Sequence, residues 1–251
     1  MKLLVFTLAA PLMSFGGIAP GELRVSWDRP GRSALAGLTA AALGLTREDD
    51  RQEWLAASVA FAVRVDAPGR HMVDYHTTQT APTRKDRQFA TRREELAASD
   101  LTTILSQRSY LEDAAFTIAA LVEDGGPFTI EEIAQVLEQP RFSIHVGRRC
   151  CPPGLPLSPL VVEAPSLGGA FAAYDAEQAR FADRAELRSR FIPSGARRAL
   201  CAVDPRFEAL RLLSDVAVER RETRRDDPVS RVRWQFARRE QIVGRLMEMP
   251  Q

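Results

Sequence analysis

Lysine, cysteine and long hydrophobic runs are all scarce in this chain of 251 residues. Only Lys2 and Lys85 are lysines, so arginine supplies nearly all of the 34 cationic side chains. No run of 18 apolar residues occurs, which argues against a membrane-spanning helix and a membrane partner. Three cysteines without a Cys-x-x-Cys motif exclude a disulfide scaffold and a cysteine zinc site. These absences predict a reducing, cytoplasmic setting without a metal or other cofactor.

The charges nearly cancel, because 34 Lys and Arg face 33 Asp and Glu. Any basic surface must therefore be local rather than a field of the whole molecule. The preference for arginine has two interpretations. It reflects either a GC-rich genome or a need for planar guanidinium donors that bind phosphate and stack on bases. Apolar residues at 45% and charged residues at 27% predict an ordinary globular protein.

Hydrophobic periodicity predicts four strands and two main helices in the first 150 residues. The apolar run at residues 3–8 predicts a strand buried on both faces. A secretory signal is the alternative, but the single early charge and Pro11 disfavour it. Ser33 is predicted to start the first helix, and the capping box from Thr129 to Glu132 the second. The remaining predicted strands cover residues 59–65, 115–122 and 142–146.

This order of strand, helix, strand, strand, helix, strand is that of an α+β, ferredoxin-like (RRM-like) βαββαβ domain at residues 1–150. The sequence of residues 151–251 predicts a smaller C-terminal lobe that is mostly β, with one helical insertion at 170–190. Because many unrelated functions use this fold, the order by itself says little about function.

Residues 74–112 do not fit that scheme, because hairpin loops usually need only a few residues. Within this segment, residues 83–93 carry five cations and one anion. A long basic excursion from a compact sheet indicates a functional arm. A solvated loop without a function is the alternative interpretation.

Nucleic-acid binding is the chemistry that these residues favour most. Arginines supply phosphate contacts, and exposed aromatic residues supply stacking surfaces for single-stranded RNA. The RRM aromatic signature is absent, so base stacking on the sheet face is not expected. The predicted RNA-binding residues are Arg24, Arg32, Ser33, Tyr75, His76, Arg84, Lys85, Arg87, Arg92, Arg93, Arg108, Arg148 and Arg149.

Tyr75 and His76 form the only pair that resembles acid–base machinery. A metal-free ribonuclease needs one group to accept the 2′-hydroxyl proton and another to protonate the leaving oxygen. A histidine beside a tyrosine at the base of a loop is more often structural. We therefore predict no catalytic residue, and keep a metal-independent endoribonuclease using Tyr75 and His76 as the alternative.

Five runs of sequence resemble the CasD-type subunits of type I-E CRISPR Cascade, a branch of the Cas5 family in the RAMP superfamily. The clearest are Asp-Tyr-His-Thr at 74–77, Arg-x-Tyr-Leu-x-Asp-Ala-x-Phe at 108–116 and Gly-Arg-Arg-x-Cys-Pro at 147–152. The others lie at 8–16 and 33–50. The resemblance covers about residues 3–160. Phe15 and Ala34 depart from it, since the family usually has Trp and Gly there.

The resemblance implies a ferredoxin-like domain with a long β-hairpin thumb inserted between strands 2 and 3 at about 74–112. It implies that the chain binds and caps the 5′ handle of the CRISPR RNA (crRNA) in antiviral defence. The implied protein partners are CasC-type backbone subunits and the large CasA-type subunit, with target DNA contacted only through the complex. The type I-E family is non-catalytic. Relatives in another subtype cleave RNA with Tyr, Lys and His, and this chain lacks a Lys-His pair.

Overall fold

The structure, a computed structural model, describes residues 1–83, 87–192 and 200–247. The strands are β1 (Lys2–Met13), β2 (Phe15–Gly16), β3 (Leu23–Arg24), β4 (Ser26–Trp27), β5 (Val59–Ala67), β6 (Arg70–Thr80), β7 (Thr102–Val122), β8 (Leu160–Glu163), β9 (Leu200–Val203), β10 (Val216–Ser230) and β11 (Gln235–Leu246). The helices are α1 (Arg32–Leu43), α2 (Arg51–Ser58), α3 (Arg92–Leu96), α4 (Ile130–Glu138), α5 (Leu167–Ala179), α6 (Ala182–Ser189) and α7 (Arg206–Ala209).

One large sheet organises the molecule, with the spatial order β10-β11-β9-β5-β7-β1-β8. The pairs along this path are antiparallel. Three of the four predicted strands are confirmed as β1, β5 and β7, although β7 is far longer than expected. A small separate sheet pairs β2 with β4.

The predicted strand at 142–146 is wrong. This segment is irregular, and β8 occupies the edge beside β1 instead. Ile144 and Val146 are buried in the core, which accounts for their alternation in the sequence. The Val146 carbonyl accepts from the Ser14 amide at 3.1 Å, so the segment ties the end of β1 to the loop that follows. Alternating burial therefore arose from packing, without a strand ladder.

Both faces of the central sheet are covered, which explains the unbroken apolar run in β1. Leu4 and Phe6 pack on one side in the core formed with α1 and α4. Leu3 and Val5 pack on the other side with residues of α5, including Phe171. Because α5 covers this second face, it is not open for base stacking.

The two helices whose starts were predicted, α1 and α4, are capped in different ways. The capping box is confirmed, since Thr129 and Glu132 cap α4 reciprocally. The first helix begins at Arg32, one residue before Ser33, and Gly31 is its N-cap. Gly31 has no side chain that could cap the helix, and the Arg32 amide donates instead to the Asp226 carboxylate at 2.9 Å.

Residues beyond 150 continue the same sheet. They contribute β8 at one edge and β9, β11 and β10 beyond β5. The predicted helical insertion corresponds to α5 and α6. The division into domains at residues 150 and 151 stays a prediction, because the sheet runs through both ranges.

The two ends of the predicted arm pair as the strands of a β-hairpin. We use "the hairpin" for β6, the described residues 81–83 and 87–101, and β7 as far as Glu112; β6 pairs antiparallel with β7 from Arg70↔Glu112 to Thr80↔Thr102. Past this point β7 enters the core sheet between β1 and β5. Gly69 (φ 71°) and Asp113 (φ 51°) face each other across the two strands, and both have a left-handed backbone conformation. Gly69 is required there, since a Cβ would lie 2.5 Å from the Glu112 carbonyl oxygen.

Candidate nucleic-acid interface

The register of the hairpin separates its side chains onto two faces. Directly opposed residues of an antiparallel pair share a face, and neighbours along a strand alternate. Arg108 is opposite Asp74, and His76 is opposite Ser106, so these four share one face. Tyr75 is opposite Gln107 on the other face. We call the face with Arg108 the arginine face and the face with Tyr75 the tyrosine face.

Three predicted RNA-binding residues meet at the base of the hairpin. β3 runs parallel to β7 and places Arg24 opposite Arg108. The Arg148 guanidinium donates through Nη1 to the Ser109 carbonyl and through Nη2 to the Arg24 carbonyl, both at 3.0 Å. It thereby connects β3, β7 and the loop after residue 146. We call Arg24, Arg108 and Arg148 the arginine cluster.

The aromatic ring of Tyr110 packs against Arg148 of the arginine cluster. The Arg148 guanidinium lies 4.4 Å from the ring centroid of Tyr110, which is only 5% exposed. The Tyr110 hydroxyl lies 3.7 Å from the Cys150 Sγ. Burial raises the Tyr110 pKa above its usual value, so the ring stays neutral beneath the cation. Stacking fixes the guanidinium plane and leaves its N–H groups directed sideways.

A glycine permits the close turn that presents Arg148 and Arg149. Gly147 has a φ of 96°, and its Cα lies against the backbone of Ser14, where a Cβ would collide with the carbonyl oxygen. The Ser14 hydroxyl donates to the Ser109 carbonyl at 3.0 Å, which ties the same turn to β7. Arg149 follows in an exposed position. Backbone packing thus sets the positions of both arginines.

The cations at this site have no carboxylate partners among the residues that the structure describes. Arg108 Nε donates to the Ser106 hydroxyl at 3.2 Å, and Arg24 donates to backbone carbonyls. Asp74 contacts His76 Nδ1 at 3.2 Å and forms no ion pair with Arg108 within the described ranges. Uncompensated guanidinium donors on a projecting edge are suited to phosphate oxygens.

At the tip of the hairpin, between β6 and β7, two of the predicted arginines are paired with carboxylates. Arg87 pairs with Asp100 at 2.6 Å and lies 4.9 Å from the ring centroid of Phe89. Arg92 pairs with Glu95 at 2.6 Å. Arg93 is exposed and makes no ion pair in the described part of the chain. The predicted residues Arg84 and Lys85 lie outside the described residues.

Glu95 connects the segment at the tip of the hairpin to the end of β6 by hydrogen bonds. Its Oε1 accepts from the Thr80 hydroxyl at 2.6 Å and from the Ala81 amide at 3.2 Å, while Oε2 pairs with Arg92. The Thr80 hydrogen bond, followed by the contact with Arg92, lowers the Glu95 pKa to about 2. The carboxylate is therefore ionised at neutral pH and organises the loop that carries the tip arginines.

Arg32 and Ser33 lie at the start of α1 and not in the arginine cluster. The Arg32 guanidinium is 13% exposed and pairs with Asp204 and Asp227, each at 3.3 Å. The Ser33 carbonyl accepts from Arg231 at 2.6 Å. Because carboxylates of the same chain already occupy this helix end, the geometry gives no support to the predicted phosphate contact there.

The alternative catalytic pair is separated by the strand. Tyr75 is 64% exposed on the tyrosine face, whereas His76 contacts Asp74 on the arginine face. Adjacent residues of a strand direct their side chains to opposite faces, so these two groups do not converge on one point. Within residues 1–83, 87–192 and 200–247, no group of three or more His, Cys, Asp or Glu could hold a metal ion.

Sequence reasoning missed the supporting roles of Tyr110, Ser14 and Ser109. The period of two from Arg108 to Tyr110 could have indicated that both share one face of a strand. It could not have shown that Arg148 stacks on the ring, because that contact depends on the turn at Gly147.

Two solved structures have a fold similar to that of this chain. A solved structure described as a CRISPR RNA-guided surveillance complex has a TM-score of 0.64, with 24% identity, and covers 98% of this chain and 90% of that chain. Another, described as a crystal structure of a Cas protein, has a TM-score of 0.58 and 24% identity, covering 99% and 100%. These likenesses concern the fold.

The family follows from the sequence comparisons. A family model described as CRISPR-associated protein (Cas_Cas5) matches residues 3–242. The chain therefore belongs to the Cas5 family of CRISPR-associated proteins. It is 33% identical over 163 residues to the CRISPR system Cascade subunit CasD of Escherichia coli (strain K12), an alignment of 61% of this chain and 68% of that protein. In the described part of the chain, no helix is long and apolar enough to cross a membrane.

Proposed function

We propose that this chain is a subunit of a type I-E Cascade that binds and caps the 5′ handle of the crRNA. The observation that carries this proposal is the arginine cluster at the base of the hairpin, whose three guanidiniums have no carboxylate partners among the described residues. The similarity to a protein named as a Cascade subunit supports the assembly in which this occurs.

The proposed architecture treats β1, β5, β7 and β8 as the four strands of a ferredoxin-like domain. Their spatial order, β5-β7-β1-β8, together with α1 and α4, supports this interpretation. The hairpin is then the thumb inserted between the second and third strands. Among the described strands, β6 pairs only with β7, so the distal hairpin is free to contact a partner.

The two faces of the hairpin would divide the recognition of RNA. Arg24, Arg108 and Arg148 would bind handle phosphates, with Arg149 beside them. On the opposite face, the exposed Tyr75 ring would stack on a base. At the tip, Arg93 offers a further guanidinium. CasC-type backbone subunits and a CasA-type large subunit are the proposed protein partners, and target DNA would be reached only through the complex.

We propose that the subunit does not cleave RNA. The separation of Tyr75 and His76 onto opposite faces supports this view. Incubation of the purified chain with CRISPR repeat RNA and a chelator tests it. A specific cut that His76→Ala abolishes would contradict the proposal and favour a metal-independent endoribonuclease.

The handle-binding proposal is tested by combining Arg24→Ala, Arg108→Ala and Arg149→Ala. Arg148 is retained because it also holds the turn to β7. The matched control replaces Arg180, Arg190 and Arg220, three exposed arginines that pair with glutamates close by in the sequence. We expect weaker binding of handle RNA and a shallower salt dependence, by about 0.7 per lost phosphate contact.

Two outcomes decide the proposal. Co-expression with a CRISPR array, pull-down and sequencing should recover crRNA with the unaltered chain and with the control. Equal affinity and equal salt slope for the cluster variant and the control would contradict a role of the arginine cluster in handle binding.

A further inference from the structure

A second group of arginine and aromatic side chains lies at the turn between β10 and β11. Trp234 packs edge-on against Phe236, with 5.6 Å between ring centroids. The guanidinium of Arg47, from the segment between α1 and α2, lies 4.9 Å from the Trp234 ring centroid, and that of Arg231 lies 5.8 Å away. We call these four residues the turn cluster.

The arginines around this turn lack carboxylate partners in the part of the chain that the structure describes. Within the described ranges, Arg47, Arg231 and the adjacent Arg233 form no ion pair with a carboxylate. Arg231 donates to the Ser33 carbonyl, and its pKa is lowered by burial and by the nearby charge of Arg47. Arg221, elsewhere on the same pair of strands, is bound by two glutamates. This local surplus of positive charge is therefore available to an external anion.

The backbone holds the indole outward at a conformational cost. Trp234 has a φ of 55°, a left-handed conformation that bulky residues rarely adopt. Such strain persists where the surroundings impose it and often marks a binding site. More than half of the side chain remains open, since Trp234 is 58% exposed.

We propose that the turn cluster is a second nucleic-acid site, at which a base of a single-stranded segment stacks on Trp234 while neighbouring phosphates contact Arg47 and Arg233. A single strand is required because its bases can leave their own stack. An arginine stacked on a ring keeps its in-plane N–H groups free for phosphate. The site uses none of the residues of the hairpin interface and so extends the function proposed above. RNA and DNA share the chemistry that this site recognises.

The experiment measures binding of fluorescein-labelled oligouridylate and oligothymidylate to the full chain. Trp234→Ala is made in the variant that already lacks Arg24, Arg108 and Arg149, so that the hairpin interface does not mask the result. We expect roughly tenfold weaker binding, the usual effect of losing one base–aromatic stack. Trp234→Phe should retain most of the affinity. Trp54→Ala is the matched control, because Trp54 is 54% exposed on α2 and has no guanidinium over its ring among the described residues.

The two probes distinguish the source of the strand. A loss for oligouridylate alone assigns the site to RNA, a loss for oligothymidylate alone assigns it to DNA, and a loss for both indicates recognition of shared chemistry. Arg47→Ala with Arg233→Ala should lower the salt slope by about 0.7 per contact. Ultraviolet cross-linking followed by mass spectrometry should recover the peptide that contains Trp234.

Three results would overturn the proposal. The first is equal affinity of Trp234→Ala and Trp54→Ala for both probes. The second is cross-linking that occurs only on the hairpin. The third is loss of a protein subunit from the assembled complex with Trp234→Ala while oligonucleotide binding is unchanged, which would identify a protein-docking surface. The first and third results do not depend on whether the arginine cluster binds the handle, so the two proposals can fail separately.

Discussion

The guanidinium of Arg148 stacks 4.4 Å from the ring centroid of Tyr110 while it donates to the carbonyls of Ser109 and Arg24. One side chain therefore joins a hairpin strand, the short strand beside it and the loop after residue 146. A guanidinium can do this because it has several donors in one plane and a flat face for the ring. A lysine has the same charge but neither feature.

Arg148→Lys should consequently weaken RNA binding although the net charge is unchanged. We expect an approximately fivefold to tenfold loss, since the stack and at least one carbonyl contact disappear. Arg149→Lys is the control, because Arg149 is exposed and has no fixed contacts within the described residues. Filter binding with handle RNA measures both. An equal effect of the two substitutions would show that charge alone matters at this turn.

Gly147→Ala tests whether backbone packing positions these arginines. The added Cβ would meet the Ser14 carbonyl oxygen, and the φ of 96° disfavours any L side chain. We expect a loss of stability of more than about 1 kcal/mol together with weaker RNA binding. Gly16→Ala is the matched control, since nothing lies within 4 Å of a Cβ there. Urea unfolding and RNA binding should change together for Gly147 only, and unaltered binding by Gly147→Ala would contradict the role of the turn.

The core strands could be predicted from sequence because local patterning reports burial. β1 reads as one apolar run since helices cover both faces of the sheet. The same logic failed at residues 142–146, where Ile144 and Val146 are buried without forming a strand. Alternation records which side chains are buried, and strand pairing is only one way to bury them.

The candidate site was predictable in its residue types but not in its pairings. Arg24 and Arg108 were both identified, yet their juxtaposition depends on a strand of two residues that is placed by tertiary contacts. The role of Arg32 in RNA binding was predicted from its place at the start of the first helix and stays a prediction. Its partner Asp204 lies 172 positions away in the sequence, and Asp226, which accepts from its amide, lies 194 away. Local charge patterns cannot reveal such distant ion pairs.

A buried charge network between the sheet and α5 predicts a large effect on stability. Arg64 donates to Asp66 and to Asp175, each at 2.6 Å, and Thr117 donates to Asp66. Arg64→Met would leave Asp66 buried without its counter-ion, and we expect a loss of about 3–5 kcal/mol in urea unfolding. Asp175→Asn should cost much less because Asp175 is partly exposed.

The double variant Arg64→Met/Asp66→Asn supplies the decisive comparison for this network. It should lose less stability than the two single variants together, because neither charge is then left alone in the interior. Strict additivity of the two losses would show that Arg64 and Asp66 contribute independently.

The tip of the hairpin should respond to acid at an unusually low pH. The Glu95 pKa in the folded protein is about 2, below its ordinary value of 4.5. A depressed carboxyl pKa stabilises the folded form above the unfolded pKa, and this contribution disappears as the pH falls through the folded value. Between about pH 4.5 and 2, the stability that Glu95 adds through its hydrogen bonds to Thr80 and Ala81 should therefore decline progressively. The amide proton of Ala81, which donates to Glu95, should shift in an NMR titration with a midpoint near 2.

Glu95→Gln should abolish this shift, whereas Glu94→Gln should leave it, since Glu94 makes no contact with Ala81 in the described structure. A midpoint near 4.5 would show that Glu95 does not hold the tip in solution.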